Sequence, residues 1–515
     1  MSDAIHLRTF QEHWEATVSE HGDRPFLLFH DSTGITEYSY REFDEIVGRT
    51  AGMLRHHGVR PGMSVHVVLR NSPAFVALWL AVARLRAWLV PTDPASTARD
   101  IATQVRRTRP VVAVCSDVRA QTYREGADGL VPTIIEVTEA PADCVSGGPL
   151  CAGEPVTFST DVDPQDRLAV MFTSGTTSEP KGVVLTQENY STVGESMADA
   201  AGLRSQHRWL VTLPLFHANA QYYCFAPAIA VGASVALTHT FSASQWVHQA
   251  SFLQATHASL FAAPIRMIIA RNPIDAPSLQ LEHLWFAQSL GPDHLDQFGR
   301  IIGSRPRQLY GMTETVAAVT VQTHQAAVPD SIGEPLDGRE VKLVDGRGRT
   351  AAPGIPGTLC VRGKRGVDLF QSYLDDPHTT DRAFTDLPDE TSWFNTGDLV
   401  VAAPDTGAYR FVGRVDDVIK VSGENVSLTE VESVLAQAPG VLEVAVVAQT
   451  DPIRDQVPVA YLVPRDALTP PDTDTLDAWA ARNLSPAARP HRWHLIDELP
   501  RTSVGKVRRF LIDST

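Results

Sequence analysis

Cysteine is sparse in this 515-residue chain: only Cys115, Cys144, Cys151, Cys224 and Cys360 occur. The count is odd, the spacing is irregular and no Cys-x-x-Cys pair exists. Neither a disulfide framework nor a zinc site is therefore expected, and a reducing cytoplasm fits. Long apolar runs are also absent. The longest, Ala74–Ala83, is closed by Arg84 and Arg86. It falls short of the ~20 residues that a membrane span needs and predicts a buried helix. Basic charge is the minority sign, 44 Lys and Arg against 60 Asp and Glu, for a net −16 at pH 7. That argues against a nucleic-acid binder, which needs a basic face; a small anionic ligand needs only a local positive site. Met1, Ser2, Asp3 and Ala4 begin no basic-then-apolar segment, so no secretory signal is expected. There is no internal repeat, no low-complexity tract and no Gly-x-Ser-x-Gly nucleophile elbow followed by a helix with an evident partner histidine.

What is present is ordinary globular material, 43% hydrophobic and 20% charged, ample for a core. Tyr40 to Leu54 has helical spacing, Met63 to Leu69 is β-rich and Pro73 to Ala83 is helical again. Such alternation predicts a doubly wound parallel sheet. Further strands are expected at Leu168–Phe172, Trp209–Leu213, Ala233–Leu237 and Arg307–Leu309. Residues 140–165 are polar and Pro/Gly-containing, which predicts a surface connection; 335–412 predict a compact β subdomain. After residue 413 the pattern changes. Ser427-Leu-Thr-Glu430 is a capping box, Val431, Val434 and Leu435 form an apolar stripe, and Pro439-Gly440 stops the helix. The fold class is thus α/β, with a large body of doubly wound sheets plus a β subdomain over 1–413 and a small α+β domain over 414–515.

The sharpest chemical feature follows the apolar strand at 168–172: Thr173-Ser174-Gly175-Thr176-Thr177-Ser178-Glu179-Pro180-Lys181-Gly182. Small hydroxyl residues and glycine let backbone N–H groups approach an anion closely, the hydroxyls donate to phosphate oxygens, and Lys181 adds a point charge. It is not a Walker A loop, which has Gly before the Lys and Ser or Thr after it.

This segment resembles the phosphate loop of the adenylate-forming superfamily, which holds acyl-CoA synthetases, peptide-synthetase adenylation domains and beetle luciferases. Three more of that family's signatures follow in its order: Tyr310-Gly311-Met312-Thr313-Glu314, Asn395-Thr396-Gly397-Asp398, and Gly413-Arg414-Val415-Asp416-Asp417-Val418-Ile419-Lys420-Val421-Ser422-Gly423. A fifth, Pro500-Arg-Thr-Ser-Val-Gly-Lys506, stands near the C-terminus. The resemblance implies ATP, Mg²⁺ and CoA as reactants or cofactors, and it assigns roles. Tyr310, with Gly311 and Met312, faces adenine. Thr313 donates to the α-phosphate. Glu314 and Thr177 supply hard oxygens to Mg²⁺. Asp398 accepts from the ribose hydroxyls, and Arg414 contacts the ribose. Lys506 is the catalytic lysine, aimed at charge that builds at phosphorus. Asp416 is the hinge of a mobile C-terminal domain, and Gly423 lines the pantetheine tunnel. His217, in Leu213-Pro-Leu-Phe-His217, abuts the acyl carboxylate and gates the thiol.

Some positions depart from the family pattern. Ser178 stands where Gly is usual, Gln288-Ser289 replace the Gly-Ala of the adenine wall, and Gly357-Thr358-Leu359 replaces Gly-Glu-Leu. Taken without the family, Glu314 would be a helix-start carboxylate, Thr396-Gly397-Asp398 a turn, and Lys506 a solvated charge.

The expectation is an ATP-dependent acyl-CoA ligase that makes an acyl-adenylate and then a thioester. Leu215–Gln221, Phe241–Ser244 and Gly423–Ser427 most resemble carnitine and medium-to-aryl acyl-CoA ligases, with Gln221 placed in the acyl pocket. The segment Trp209–Gln245 holds no Asp or Glu, which disfavours an α-amino acid substrate. The alternatives are an enzyme that loads a carrier protein or stops at the adenylate, and a non-catalytic nucleotide binder. Expected partners are a small carboxylic acid and CoA, with no nucleic acid and no membrane span. A monomer or homodimer is expected.

Overall fold

The structure, a computed structural model, describes residues 9–158, 161–173, 180–272, 279, 281–323, 331–422, 424–500, 507 and 509–512. Two mainly parallel sheets, of seven and nine strands, form the large body. One continuous core joins them through the helices Phe10–His21, Tyr40–His56, Pro73–Arg84 and Gln187–Ala201. The apolar run noted in the sequence is the central one of these. Ser72 caps it at Phe75 N, Pro73 opens it, and all twelve of its residues are buried. Reciprocal capping boxes at Thr9/Glu12, Ser39/Glu42 and Thr186/Asn189 start the other three helices.

The expected strands form, with their ends shifted by one or two residues. Arg167–Thr173, Arg208–Val211, Ser234–Thr238 and Arg307–Tyr310 replace the spans read from the sequence. Residues 340–344, 357–363, 384–386, 392–402 and 409–414 build the β subdomain as one five-stranded sheet. Past it, Val418–Val421, Glu424–Ser427, Val441–Asp451, Asp455–Pro464 and Arg492–Leu495 form another sheet, with its own core around Val431, Leu435, Val446 and Leu462. Ser427 accepts from Glu430 N at 3.2 Å and donates to Val412 O at 2.5 Å.

One expectation fails. Residues 140–158 do not simply run over the surface. Leu150, Cys144 and Cys151 are buried, and Val156 N donates to Gly48 O at 2.9 Å. Backbone meets backbone there: a Cβ on Gly52 would lie 1.9 Å from Glu154 O, and one on Gly153 would lie 2.1 Å from Met53 N. Two glycines in register let an irregular segment lie on the helix Tyr40–His56. A composition-based reading sees only polar loop residues there.

Candidate active site

The first wall of the site is a hairpin. Arg167–Thr173 pairs antiparallel with Lys181–Thr186, and Thr173 stands opposite Lys181. The hydroxyl-rich residues Ser174, Gly175, Thr176 and Thr177 connect the two strands and lie outside the described residues. The hairpin's root is held by a residue the sequence did not single out. Arg107 donates to Pro180 O at 2.6 Å and to Leu374 O at 2.9 Å, and lies over the Phe172 ring. Its role rests on carbonyls distant in sequence, which leave no local signature.

The short strand Ser372–Tyr373 pairs with Val183–Val184 and brings in a second unpredicted side chain. Tyr373 donates its hydroxyl to Glu314 Oε1 at 3.2 Å, and the Lys181 ammonium lies 5.1 Å from the centroid of the Tyr373 ring. Glu314 is only 5% exposed. Burial raises its pKa above the usual carboxylate range, opposed by the Tyr373 bond and by the positive charges of Arg414 and Lys181. Burial and the neighbouring Glu314 carboxylate push the Tyr373 hydroxyl up, so it stays a donor.

Glu314 sits in the single turn Thr313–Thr315, where Phe370 N donates to its carbonyl at 2.9 Å. Behind the turn, Gln221–Phe225 is a π-helix, an irregularity frequent at functional sites. It sets two tyrosines side by side. The Tyr222 hydroxyl reaches Thr313 O at 3.5 Å, and the Tyr223 hydroxyl would lie 2.7 Å from a Cβ on Gly311.

The second wall carries Asp398 and Arg414, paired across adjacent strands. The Tyr310 hydroxyl donates to Asp398 Oδ2 at 2.6 Å, and Arg414 Nε lies 3.4 Å from Asp398 Oδ1. Asp398 N is fixed by Thr396 Oγ1 at 3.1 Å. Tyr310 keeps its ring beside Phe411, with centroids 6.1 Å apart.

Other expected site residues are placed as follows. His217 is half-buried at the start of the Ala218–Ala220 turn, its ring 4.6 Å from that of Phe216. Gln221 is fully buried: Tyr190 donates to its Oε1 at 2.5 Å and its Nε2 donates to Leu215 O at 2.6 Å. Gln288 and Ser289 are exposed just past the strand His283–Ala287. Gln288 has φ +74°, so it adopts the backbone conformation that a glycine in this place would supply freely. Asp416 lies in the turn Val415–Asp417. Gly423 and Lys506 lie outside the described residues.

Among the described residues, no group of three or more His, Cys, Asp or Glu could hold a metal ion. A divalent cation here would have one protein carboxylate, Glu314, and would complete its shell from phosphate oxygens and water. Mg²⁺ binds in that manner, and a buried hard-oxygen donor fits it. No described helix is long and apolar enough to cross a membrane.

A phosphate-type hairpin, the buried Glu314 carboxylate beside it and an Asp–Tyr–Arg cluster are the features of an adenylate-forming enzyme. The chain belongs to the AMP-binding enzyme family: its model matches residues 14–374, and that of the AMP-binding enzyme C-terminal domain matches 430–506. Among curated proteins it is similar to the crotonobetaine/carnitine–CoA ligase of Proteus mirabilis, 28% identical over 521 residues, covering 98% of this chain and 99% of that protein. Among solved structures it shares its fold with a benzoate CoA ligase from Burkholderia xenovorans (TM-score 0.85, 21% identity, 98% of this chain and 100% of that chain). It shares it as well with the o-succinylbenzoate CoA synthetase of Bacillus subtilis in complex with AMP (TM-score 0.83, 24% identity, 98% of each chain).

Proposed function

We propose that this enzyme is an AMP-forming acyl-CoA synthetase. A carboxylate oxygen attacks the α-phosphorus of ATP and the bond to the β-phosphate breaks, giving acyl-adenylate and pyrophosphate. The CoA sulfur then attacks the acyl carbon, and AMP leaves with the electrons of the C–O bond. The observation that carries this reading is the buried Glu314 carboxylate, bonded to Tyr373 at the root of the hairpin that bears Lys181.

In the first step, Ser174, Gly175, Thr176, Thr177 and Lys181 hold the phosphates, and Thr313 donates to the α-phosphate. Tyr310, backed by Gly311 and Met312, and Gln288-Ser289 border adenine. Asp398 accepts from the ribose, with Arg414 beside it. Glu314 and Thr177 would hold Mg²⁺, which neutralises phosphate charge when bound. Lys506 places an ammonium where charge develops, a contribution of ~3–4 kcal/mol if it matches other preorganised donors. Fixed positions and fixed charges do most of the work. For the second step, residues 414–515 turn about Asp416, Lys506 departs and the Gly423 segment lines the thiol's path past His217. A thiol needs no strong general base, since a few per cent is thiolate near neutrality.

A cavity of about 660 Å³ supports CoA as acceptor. Its walls include Leu213, Pro214 and Phe216, the approach to His217, and Arg70, Arg119 and His239 supply positive or ionisable groups. An apolar channel with guanidinium groups matches a pantetheine arm that ends in phosphates. A carrier-protein thiol is the rival acceptor. Cytoplasmic location and a monomer or homodimer complete the reading.

The test is a panel of carboxylic acids scored for AMP release with and without CoA. It includes crotonobetaine, carnitine, benzoate, anthranilate and o-succinylbenzoate, the acids that similar proteins are named for. AMP release that rises with CoA, and a thioester product, support the proposal. Adenylate formation that ignores CoA favours the carrier-loading enzyme, and no AMP with any acid favours an inert nucleotide binder.

A further inference from the structure

The turn that carries Glu314 is strained. Val316, fully buried and β-branched, has φ +62° and ψ −83°, a conformation that an L side chain adopts only when its surroundings impose it. Besides the Thr315 hydroxyl, which donates to Ala317 O at 3.2 Å across Val316, a side chain from outside the turn holds it. Arg339, ahead of the strand Glu340–Val344, donates through Nη2 to Thr315 O at 2.7 Å and through Nη1 to Asp368 O at 2.7 Å. Thr315 O belongs to the peptide leading into Val316. Asp368 belongs to the segment whose Phe370 N holds the Glu314 carbonyl. That segment is tied in turn to the hairpin: Thr186 Oγ1 donates to Gly366 O at 2.6 Å, and Asn189 Nδ2 donates to Val367 O at 2.8 Å and Leu369 O at 2.9 Å. The guanidinium is desolvated, and the charge of Asp368 and the Tyr223 hydroxyl partly offset that cost. Keeping a charge there to bind two backbone carbonyls is costly, and it rigidly spaces two segments that meet at Glu314.

We infer that Arg339 is a positioning residue for the metal-binding carboxylate: its bidentate hold on Thr315 and Asp368 keeps the Val316 turn in the strained form that aims Glu314 at the phosphates. This rests on the proposed function, in which Glu314 meets Mg²⁺ on ATP. The residue touches neither nucleotide nor acid, so its loss is felt at the cation and not at adenine or ribose.

The experiment measures Mn²⁺ affinity by electron paramagnetic resonance on the full-length enzyme with α,β-methylene-ATP, beside metal-free AMP affinity by calorimetry. Arg339→Met is expected to weaken Mn²⁺ binding by about tenfold or more, as loss of a supporting partner of a metal ligand commonly does. AMP affinity is expected to stay within about twofold. Glycine adopts φ +62° freely. In a Val316→Gly background, removal of the guanidinium is therefore expected to cost no more than about twofold, a coupling that a general loss of stability would not produce. Unchanged Mn²⁺ affinity in Arg339→Met, AMP affinity falling in step with it, or equal losses in both backgrounds would each overturn the inference. If Arg339→Met does not fold, Arg339→Lys keeps the charge without the fork that spans both carbonyls, and unchanged Mn²⁺ affinity there overturns it equally. Glu314→Gln in the native background separates the two layers. If that change leaves Mn²⁺ affinity intact, the functional reading of Glu314 fails, and this inference with it.

Discussion

Replacing Tyr310 with phenylalanine separates two roles that one side chain performs. The ring, which rests beside Phe411, stays; only the hydroxyl that donates to Asp398 at 2.6 Å is lost. Asp398's side chain is 10% exposed, so the bond is sheltered from water. A hydrogen bond to a charged group of this kind is worth about 1.5–3 kcal/mol. Arg414 still lies 3.4 Å from the other carboxylate oxygen and keeps part of the orientation. A net loss of about 1–2 kcal/mol in nucleotide binding is therefore expected, or roughly 5–30-fold in the AMP dissociation constant. Titration calorimetry with AMP and 2′-deoxy-AMP measures it. On the proposed role of Asp398 the native enzyme is expected to favour AMP, and in Tyr310→Phe that preference is expected to shrink, because the carboxylate is no longer held in place for the ribose. Tyr310→Phe combined with Asp398→Asn loses less than the sum of the two single changes. AMP affinity within about twofold of the native enzyme, with the preference for the ribose 2′-hydroxyl intact, refutes the reasoning.

Lys506→Ala is expected to lower ATP–pyrophosphate exchange by roughly 10²-fold or more, while a synthetic acyl-adenylate still reacts with CoA; equal loss in both assays contradicts the assigned division of labour. Acid sensitivity follows from two buried neutral histidines. Burial lowers His66 to about 4 and His257 to about 3. The unfolded chain takes up protons below ~6.5 and the folded one does not, so stability is full above that pH and declines as pH falls toward those values. Each contributes a loss of about 2 kcal/mol at pH 5. His66→Gln and His257→Gln should each flatten the fall in melting temperature between pH 7 and pH 5, and an unaltered slope counts against the linkage. Gly52→Ala drives a Cβ toward Glu154 O and should cost about 1–3 kcal/mol or more. A melting temperature within error of the native value would mean that the segment simply moves aside.

Much of the fold was legible in the sequence, and the residues expected at the nucleotide site stand in contiguous runs. The apolar run placed a helix at Pro73–Ala83, observed as Pro73–Arg84, and the Tyr310–Glu314, Asn395–Asp398 and Gly413–Lys420 runs carry their residues at fixed spacing. The illegible parts are of another kind. Arg107 and Arg339 act by donating to carbonyls tens or hundreds of residues away, and a carbonyl has no residue type to recognise. Tyr373 reaches Glu314 only because a two-residue strand pairs at an edge. The π-helix at Gln221–Phe225 was not foreseen, because an extra residue in a helical turn leaves no mark in hydrophobic periodicity. The strained backbone at Val316 is likewise invisible, because nothing in a valine announces positive φ. The close fit of Gly52 on residues 153–156 needed the partner segment's path, which composition does not supply.

Arg414 is the last residue of its strand, and the turn Val415–Asp417 follows at once. The carboxylate that it neighbours is the one assigned to the sugar. In the proposed function an incoming ribose shares Asp398 with a side chain whose main chain runs through that turn into the strand Val418–Val421. On the proposed function, occupancy of the nucleotide pocket and the posture of the tail are thereby linked through the three-residue turn Val415–Asp417, beside the Ser427 hydrogen bond to Val412 O.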